Sequence, residues 1–550
     1  MKKNIKFYMA AALLGLTASC TDLDVDIDSQ YTQYPNNEIA LSAKLAGCYN
    51  YMRNEGGLSR NYWEGVMLQG DEMMAVCYNN GYFDNGRAVL PSLHMLNPDI
   101  PGIGQMDALM SGITYCNTVI LEIGGADGKD AVVAPVRAAR AFYEFLMLDF
   151  YGDCPLLDHS PAEGEVIERA PRAKVAEFVE SELLEIMDQL TEENNANTYG
   201  TPNKWMAKAL LAKLYLNWPV YTKDVTSSSW TYGENPKLQD CVSICDDIIN
   251  SGIFEVGKGY FKKFQPDNGV HIKDFIYAAE YDPATLGDNY DGGNELDRFL
   301  IFKKANSCTD SEGNANGPWG FKPGKSCAGT WIVTPEAAAR FTLAGDERNQ
   351  MILKGPQYIR DYANGYELTT KPLYFNGAQV NYTPIEDYAD WQNKGNLDVG
   401  ADNVDAHMMA GYRLYKYPSE PATYSTFSRK GGNDVPIFRY ADVLLTKAEC
   451  ILRGASANTT AAALVNEVRD CSGAEHCTTI DLPGLLDERS REMFCEMWRR
   501  QDLIRYGQFE NDWGFKNEIN PDGKNPQRRL FPIPTGVMDT NTNWKQNAGY

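Results

Sequence analysis

The sequence has few of the residues that build metal or redox sites. Its 550 residues include only five histidines, and no two of them lie at a metal-ligand spacing such as H-x-x-x-H. No C-x-x-C pair occurs among the 13 cysteines. These absences argue against a zinc enzyme and against a dithiol redox protein.

Positive charge is also scarce. Lys and Arg total 51 against 74 Asp and Glu, which gives a net charge of −23. Phosphate recognition needs a surplus of Lys and Arg on one face, and anionic membranes attract basic segments. The balance therefore excludes a nucleic-acid binder and an electrostatic membrane binder. A hydrophobic content of 43% is close to that of globular proteins and excludes global disorder.

Long hydrophobic runs are missing except at the N-terminus. A short cationic stretch precedes the ten apolar residues 7–16, and small residues follow at 17–19. Ten residues are too few to span a bilayer core of about 30 Å as a helix. Residues 1–19 are therefore predicted to be a signal peptide. Its removal takes three lysines and changes the net charge from −23 to −26.

Cys20 directly follows the small residues, as in a lipobox, although Leu16 stands one position further upstream than is usual. We expect lipidation of Cys20, with multiple acyl chains as a stable membrane anchor. The alternative is a plain secreted protein with an ordinary cysteine. Residues 20–36 are predicted to be an acidic tether, and the alternation of acids with Leu23, Val25 and Ile27 also fits an amphipathic strand.

Most other cysteines fall on apolar faces of predicted helices, where a thiol behaves as a small hydrophobic group. These are Cys48, Cys116, Cys241, Cys245, Cys450 and Cys495. Two further pairs, Cys471 with Cys477 and Cys308 with Cys327, are candidates for disulfides, and the sequence leaves both pairings open.

Helical periodicity clusters at the two ends of the chain. Apolar residues at steps of three and four predict helices over 37–54, 105–123, 131–151, 173–190, 203–218, 236–251, 439–452, 460–469 and 487–506. Between about 252 and 432 the chain is rich in Gly, Asn, Asp, Pro and Tyr, and one clear helix is predicted over 334–343. The prediction is a mostly α-helical single domain, 37–550. Tetratricopeptide-like hairpins from 37–251 and 433–550 form its scaffold around a loop-rich insertion with few short strands.

Five motifs in the same order along the chain resemble the RagB/SusD family of outer-membrane nutrient-binding lipoproteins. They are residues 140–143 with 149–155, 433–449, 488–505, 530–534 and 543–550. The lipoprotein signal fits the same family, and the resemblance spans essentially the whole chain.

The resemblance implies a surface-exposed, non-catalytic protein that captures oligosaccharide or polysaccharide. It also implies a partner, a TonB-dependent barrel transporter of the outer membrane that takes the cargo into the periplasm. Two other functions stay open: a carrier for peptide or glycopeptide nutrients, and a glycoside hydrolase, for which two suitably spaced carboxylates suffice.

The first candidate site for a glycan is segment 71–87, which follows the first helix. A sugar site needs aromatic platforms beside polar donors and acceptors, and this segment combines both on a chain with Asn and Gly turns. Its candidate residues are Asp71, Tyr78, Asn80, Tyr82, Phe83 and Arg87. In the starch-binding member of the family the similarly placed segment carries a tryptophan pair, so Tyr78 argues against starch itself. An ordinary Tyr/Asn loop is the alternative.

The second candidate site lies in the insertion, where Tyr290, Trp319 and Trp331 resemble family positions that bring further aromatic rings to the same face. Trp331, just before a predicted helix, could equally pack as a hydrophobic staple. No cofactor is expected. The loop 284–298 could hold a structural Ca²⁺ through oxygen ligands, although it has no EF-hand spacing.

The charged helix 487–506 is assigned to the scaffold or to a transporter interface rather than to a ligand. Glu496 precedes Arg499 and Arg500 by three and four residues, which predicts ordinary pairs on a helix surface.

Overall fold

The computed structural model describes residues 38–53, 60–75, 87–99, 105–286, 294–301, 304–322, 324, 327–329, 331–385, 409–426 and 430–550. The chain separates into two compact units, residues 1–44 and residues 45–550. Only residues 38–44 of the first unit are described, and they belong to a helix.

The N-terminal part of the chain is helical, as its periodicity predicts. Its helices are α1 (Glu38–Asn50), α2 (Arg60–Gly65), α3 (Val89–Ser92), α4 (Gln105–Ile123), α5 (Ala134–Tyr151), α6 (Arg172–Ile186), α7 (Lys204–Leu216), α8 (Trp218–Thr222) and α9 (Leu238–Asn250). Local signals fix several helix starts. The side chain of Asn203 caps α7 by accepting hydrogen bonds from the N–H groups of Trp205 and Met206.

The insertion holds short elements. Its helices are α10 (Pro283–Leu286), α11 (Leu296–Leu300), α12 (Pro335–Ala338) and α13 (Pro421–Thr426). The helix predicted over 334–343 is capped by Thr334 as expected, but it ends at Ala338. The prediction was too long, and Arg340, just beyond the end of the helix, pairs with Asp71.

The C-terminal part returns to longer helices. They are α14 (Tyr440–Leu452), α15 (Ala461–Ser472), α16 (Leu482–Met493), α17 (Arg499–Arg505), α18 (Lys516–Ile519) and α19 (Thr535–Thr540). Single 3₁₀ turns cover Met67–Gln69, Ala131–Val133, Tyr260–Phe264, Ala305–Ser307, Glu347–Met351, Tyr362–Asn364, Pro521–Lys524 and Pro526–Arg529.

Fourteen short strands pair two by two in the described part of the chain. They are β1 (Met73–Ala75), β2 (Cys154–Pro155), β3 (Arg169–Ala170), β4 (Phe275–Ala279), β5 (Trp331–Val333), β6 (Ile352–Leu353), β7 (Gly355–Pro356), β8 (Tyr358–Asp361), β9 (Glu367–Pro372), β10 (Tyr374–Phe375), β11 (Ala378–Gln379), β12 (Asn381–Tyr382), β13 (Arg413–Leu414) and β14 (Val435–Arg439). All seven pairs are antiparallel: β1–β5, β2–β3, β4–β14, β6–β13, β7–β12, β8–β9 and β10–β11. The mostly α-helical fold class is confirmed.

The two ends of the chain form one scaffold. Successive helices α4, α5 and α6 pack on one another, and α7 packs on α9. Helix α14 joins them by packing on both α7 and α9, and the Lys213 ammonium lies 2.6 Å from the Asp442 carboxylate across that contact. Strands β4 and β14, which stand near the two ends of the insertion, pair with each other. This strand pair therefore joins the start and the end of the insertion where they meet the scaffold.

The single helix predicted over 487–506 is wrong in its length. The chain forms α16 and α17 with a break between them, where Cys495 adopts a φ of 58°. The backbone N–H of Cys495 leaves the helical ladder and donates instead to Glu72 Oε2 at 3.0 Å. A carboxylate from a distant part of the chain thus stabilises the break.

The surface ion pairs predicted for this helix are also wrong. Glu496 is 3% exposed and pairs with Lys416 at 2.7 Å and with Arg439 at 2.9 Å, rather than with Arg499 or Arg500. Arg439 also contacts Asp274 and Glu492 at 2.6 and 2.7 Å. These charges hold the insertion to the C-terminal helices from inside the core, so the assignment of this region to the scaffold agrees with the structure.

The cysteines assigned to apolar faces are all buried, at 1% exposure or less. Cys471 and Cys477 carry free thiols, and no disulfide joins Cys308 to Cys327 in the described residues. Both candidate disulfides are therefore absent from this structure. Across the described residues, no helix combines the length and apolar character needed to cross a membrane.

Candidate functional site

Strands β1 and β5 bring the start of the first candidate segment beside Trp331 of the second. Their antiparallel register places Met73 opposite Val333 and Ala75 opposite Trp331. The chain that leaves β1 at Ala75 leads into residues 76–86, which hold Tyr78, Asn80, Tyr82 and Phe83. These four predicted residues, and Tyr290 in the insertion, lie outside the described residues.

Trp331 does not face a ligand, which corrects the prediction. Its side chain is 0% exposed, and its ring stacks on Phe299 with 4.7 Å between ring centroids. The Arg413 guanidinium donates to the Trp331 and Gly329 carbonyls at 2.8 and 3.2 Å. These hydrogen bonds hold the backbone at the start of β5. Trp331 is a core residue because its strand is covered on its inner face by α11.

Trp319 is likewise buried, at 2% exposure. Its ring packs against Phe321 and Tyr424, with centroid distances of 5.8 and 5.4 Å. These rings belong to a second, smaller apolar core inside the insertion. The prediction of a ligand-facing Trp319 is therefore wrong, because the insertion is large enough to need a core of its own.

Asp71 is also not a ligand contact in this structure. It is 5% exposed and accepts hydrogen bonds from Arg499 Nε and Nη2 at 2.6 and 2.8 Å, and it pairs with Arg340 as well. Burial alone would raise the pKa of Asp71, but the two guanidinium groups outweigh it and lower the pKa to about 2. Asp71 is thus an ionised anchor at the start of segment 71–87.

The pKa of Glu72 next to it is shifted in the opposite direction. Burial raises the pKa of Glu72 to about 8, since Arg499 compensates only in part. Its two oxygens accept from the Ser490 hydroxyl at 3.2 Å and from the Cys495 N–H. The Asp-Glu pair at 71–72 therefore fastens β1 to the break between α16 and α17.

Arg87, at the other end of the segment, is half-buried. Its Nε lies 2.6 Å from Glu64 Oε2, and the Glu64 side chain is 1% exposed. Both ends of segment 71–87 are therefore tied to the scaffold by ion pairs, while the predicted aromatic residues lie between them.

The predicted calcium loop 284–298 is described only at residues 284–286 and 294–298. Within the described chain, no group of three or more His, Cys, Asp or Glu side chains is arranged to hold a metal ion. One acid of the loop, Asp297, is buried. Asp297 is 2% exposed, neither carboxyl oxygen has a hydrogen-bond partner among the described residues, and burial raises its pKa well above the usual range.

The sequence of the chain is similar to those of known proteins. A model of the SusD family matches residues 300–550. The "Starch-binding protein SusD" of Bacteroides thetaiotaomicron is 23% identical over 428 residues, which are 76% of this chain and 72% of that protein. Both matches support the SusD family for this chain.

Solved structures extend the likeness in fold to most of the chain. A "Laminarin binding SusD-like protein" superposes with a TM-score of 0.66 and 19% identity, over 94% of this chain and 100% of that one. The "Surface glycan-binding protein A" of Bacteroides thetaiotaomicron gives a TM-score of 0.67 at 19% identity, over 94% and 100% of the two chains. The helical scaffold with its insertion is thus the fold of these family members.

Proposed function

We propose that this protein is a non-catalytic glycan-binding lipoprotein that captures oligosaccharide or polysaccharide at the cell surface. The observation that carries the proposal is the similarity to a starch-binding protein over 76% of the chain. The overlay on a laminarin-binding structure over 94% of the chain supports the same class of ligand. These relatives are named for binding rather than for cleavage.

The residues proposed to contact the glycan are those of segment 71–87 that do not serve the core, together with Tyr290. Tyr78, Tyr82 and Phe83 would provide stacking surfaces, and Asn80 and Arg87 would provide polar contacts. The pairing of β1 with β5 supports this proposal, because it brings the root of segment 71–87 beside the segment that ends at Trp331. No cofactor is proposed. Glycan binding should therefore be unchanged in the presence of EDTA.

Affinity electrophoresis tests the function. Residues 21–550 are run in native gels containing laminarin, starch or other neutral polysaccharides, and retardation in at least one gel supports the proposal. Tyr78→Ala and Tyr82→Ala should reduce the retardation. Tyr358→Ala is the matched control, because that ring is 38% exposed on β8 and lies outside the proposed segment. Normal retardation of both segment variants would reject these site residues while leaving the function standing.

Two assays separate the alternatives. Incubation of the retarding polysaccharide with the protein should release no new reducing ends, whereas release would indicate a glycoside hydrolase. Binding of peptides by calorimetry, with no retardation in any polysaccharide gel, would favour a peptide carrier.

We also propose that Cys20 carries the lipid anchor and that a TonB-dependent barrel transporter of the outer membrane receives the cargo. Cys20→Ala should abolish incorporation of labelled fatty acid and move the protein from the outer-membrane fraction to the soluble fraction. Affinity purification of the lipidated protein from detergent-solubilised outer membranes should recover a barrel transporter, and its absence would contradict the proposed partner.

A further inference from the structure

A large cleft is lined by residues outside the two candidate glycan segments. It has a volume of about 940 Å³ and opens between segment 255–274 and segment 347–368. None of the four candidate glycan residues that the structure describes, Asp71, Arg87, Trp319 and Trp331, lines it. The side chains that line the cleft indicate what it could hold.

Arg360 stands in the wall of the cleft and is 5% exposed. Its guanidinium carbon lies 3.6 Å from the centre of the Tyr415 ring, and its Nη1 donates to the Tyr366 carbonyl at 3.3 Å. No carboxylate of the described residues forms an ion pair with it. Burial lowers the pKa of Arg360, and only Tyr415 opposes that effect.

Most buried arginines of the described chain pair with carboxylates. Arg172 has no such pair but donates to three backbone carbonyls, whereas Arg360 donates to one. Arg348, Arg439 and Arg489 each pair with at least two carboxylates, because an isolated buried charge is costly. The Arg360 guanidinium borders the cleft, and its contacts there are the Tyr415 ring and the Tyr366 carbonyl. A carboxylate or sulfate group that entered the cleft could form a two-point hydrogen-bonded pair with this guanidinium.

The backbone around Arg360 is held in one position. Gly320 has a φ of +82°, and a Cβ built there would lie 1.7 Å from the Arg360 carbonyl oxygen. Only glycine allows this close approach. The guanidinium is therefore presented from a fixed strand, β8.

The charges of the rim favour a ligand with one acidic group over a polyanion. Five basic and five acidic side chains line the cleft, and two pairs satisfy each other: Lys263 with Asp274, and Lys273 with Glu255. Lys258 and Lys262 are exposed without an ion-pair partner in the described chain. Three acids, Asp267, Glu347 and Glu367, also line the cleft and would repel further negative charge.

Apolar and amide groups complete the lining. The half-buried Phe261 ring and the Leu368 side chain, which is 50% exposed, offer surfaces for the C–H faces of a sugar. Gln265 bridges the two walls by donating to the Gly365 carbonyl at 2.6 Å. A simple inorganic anion would leave most of this volume and these apolar surfaces unused.

We propose that this cleft is a second ligand-binding site, and that it takes a mostly neutral oligosaccharide carrying one acidic group, a uronate carboxylate or a sulfate ester, which pairs with Arg360. The inference goes beyond the proposed function, because it concerns other residues and a charged ligand.

Calorimetry on residues 21–550 tests it with three trisaccharides of the same linkage. One ends in glucuronic acid, one in 6-sulfated glucose and one in unmodified glucose. At low salt we expect at least one acidic trisaccharide to bind tenfold or more tightly than the neutral one, and the arms distinguish carboxylate from sulfate. Added NaCl should weaken that binding. Equal affinities for all three, or no binding of either acidic trisaccharide, would overturn the proposal.

Variants locate the site. Arg360→Gln should weaken the acidic ligand tenfold or more, in line with the loss of a charge-assisted hydrogen-bonded pair. The exposed double variant K258Q/K262Q should weaken it at least threefold, and it decides the matter if Arg360→Gln does not fold. Lys545→Gln, an exposed lysine outside the cleft, is the control and should bind as wild type. Unchanged affinity in the lysine double variant would reject the cleft.

Failure of this inference is distinguishable from failure of the proposed function. Tyr78→Ala should leave the acidic trisaccharide bound while reducing retardation in the neutral polysaccharide gel. A single site for both ligands would instead make Tyr78→Ala weaken both, and would refute a separate cleft site.

Discussion

The carboxylate of Asp71 and the guanidinium of Arg499, 428 residues apart in the chain, form a two-point ion pair with distances of 2.6 and 2.8 Å. Both groups are buried, at 5% and 3% exposure. The pair connects the start of segment 71–87 to α17, so the segment proposed for glycan binding begins at one of the most constrained points of the fold.

Removing one partner of this pair should be costly. Asp71→Asn leaves the Arg499 charge buried beside a neutral amide, and we expect the free energy of unfolding to fall by about 3–5 kcal/mol. Urea unfolding followed by circular dichroism measures the loss. Asp188→Asn is the control, because the Asp188 side chain is 99% exposed, and it should change stability by less than about 0.5 kcal/mol. Equal stability of the two variants would refute the role of Asp71 as an anchor.

The burial of Trp331 makes a second prediction. Trp331→Ala should lower the free energy of unfolding by about 3–5 kcal/mol, since it empties a core position stacked on Phe299. Trp331→Phe keeps an aromatic ring in that position, so it should fold and should be retarded in polysaccharide gels like the wild type. Loss of retardation in a Trp331→Phe protein that is as stable as the wild type would instead support a direct glycan contact.

The scaffold was predictable because its signals are local. The period of apolar residues and caps such as Asn203 and Thr460 define helices whatever their surroundings, and the helix over Gln105–Ile123 has the predicted bounds. The break between α16 and α17 was not predictable, because it depends on Glu72, more than 400 residues away. The periodicity of apolar residues in a helix does not indicate that a distant carboxylate accepts a hydrogen bond from one of its N–H groups.

Of the candidate site, only the proximity of segment 71–87 to the segment of Trp331 was predictable. The family resemblance implied that segment 71–87 and Trp331 lie near the same face, and the pairing of β1 with β5 brings residues 73–75 beside Trp331. The sequence could not separate inward-facing from outward-facing aromatic residues. In short strands and loops no period distinguishes Trp319 in the core of the insertion from a tryptophan at a surface.

Gly320 and Gly313 provide a matched pair for the backbone around the cleft. Both have a φ of +82°, but a Cβ at Gly313 meets nothing within 4 Å, whereas one at Gly320 would collide with the Arg360 carbonyl. Gly313→Ala should cost only the left-handed backbone penalty, about 1–2 kcal/mol. Gly320→Ala should cost clearly more, because the strand that carries Arg360 must also move. Thermal unfolding of the two variants measures the difference, and similar melting temperatures would contradict the close approach.

Glu144 makes the last prediction, on pH dependence. This side chain is 0% exposed, its Oε1 accepts from the Leu157 N–H at 3.2 Å, and burial raises its pKa from 4.5 to about 8. Because the folded state keeps the proton that the unfolded state releases above pH 4.5, this group stabilises the fold fully only below that pH. Its contribution is lost as the pH rises towards 8.

Glu144→Gln should remove this dependence. Each pKa unit is worth about 1.4 kcal/mol, so between pH 5 and pH 8 the variant should gain on the order of 3 kcal/mol relative to wild type. Glu72, whose pKa is also raised to about 8, should leave part of the slope in the variant. Urea unfolding at both pH values measures the gain, with the exposed Glu163→Gln as control. Parallel pH profiles for Glu144→Gln and wild type would show that the buried carboxyl ionises in the folded protein without cost.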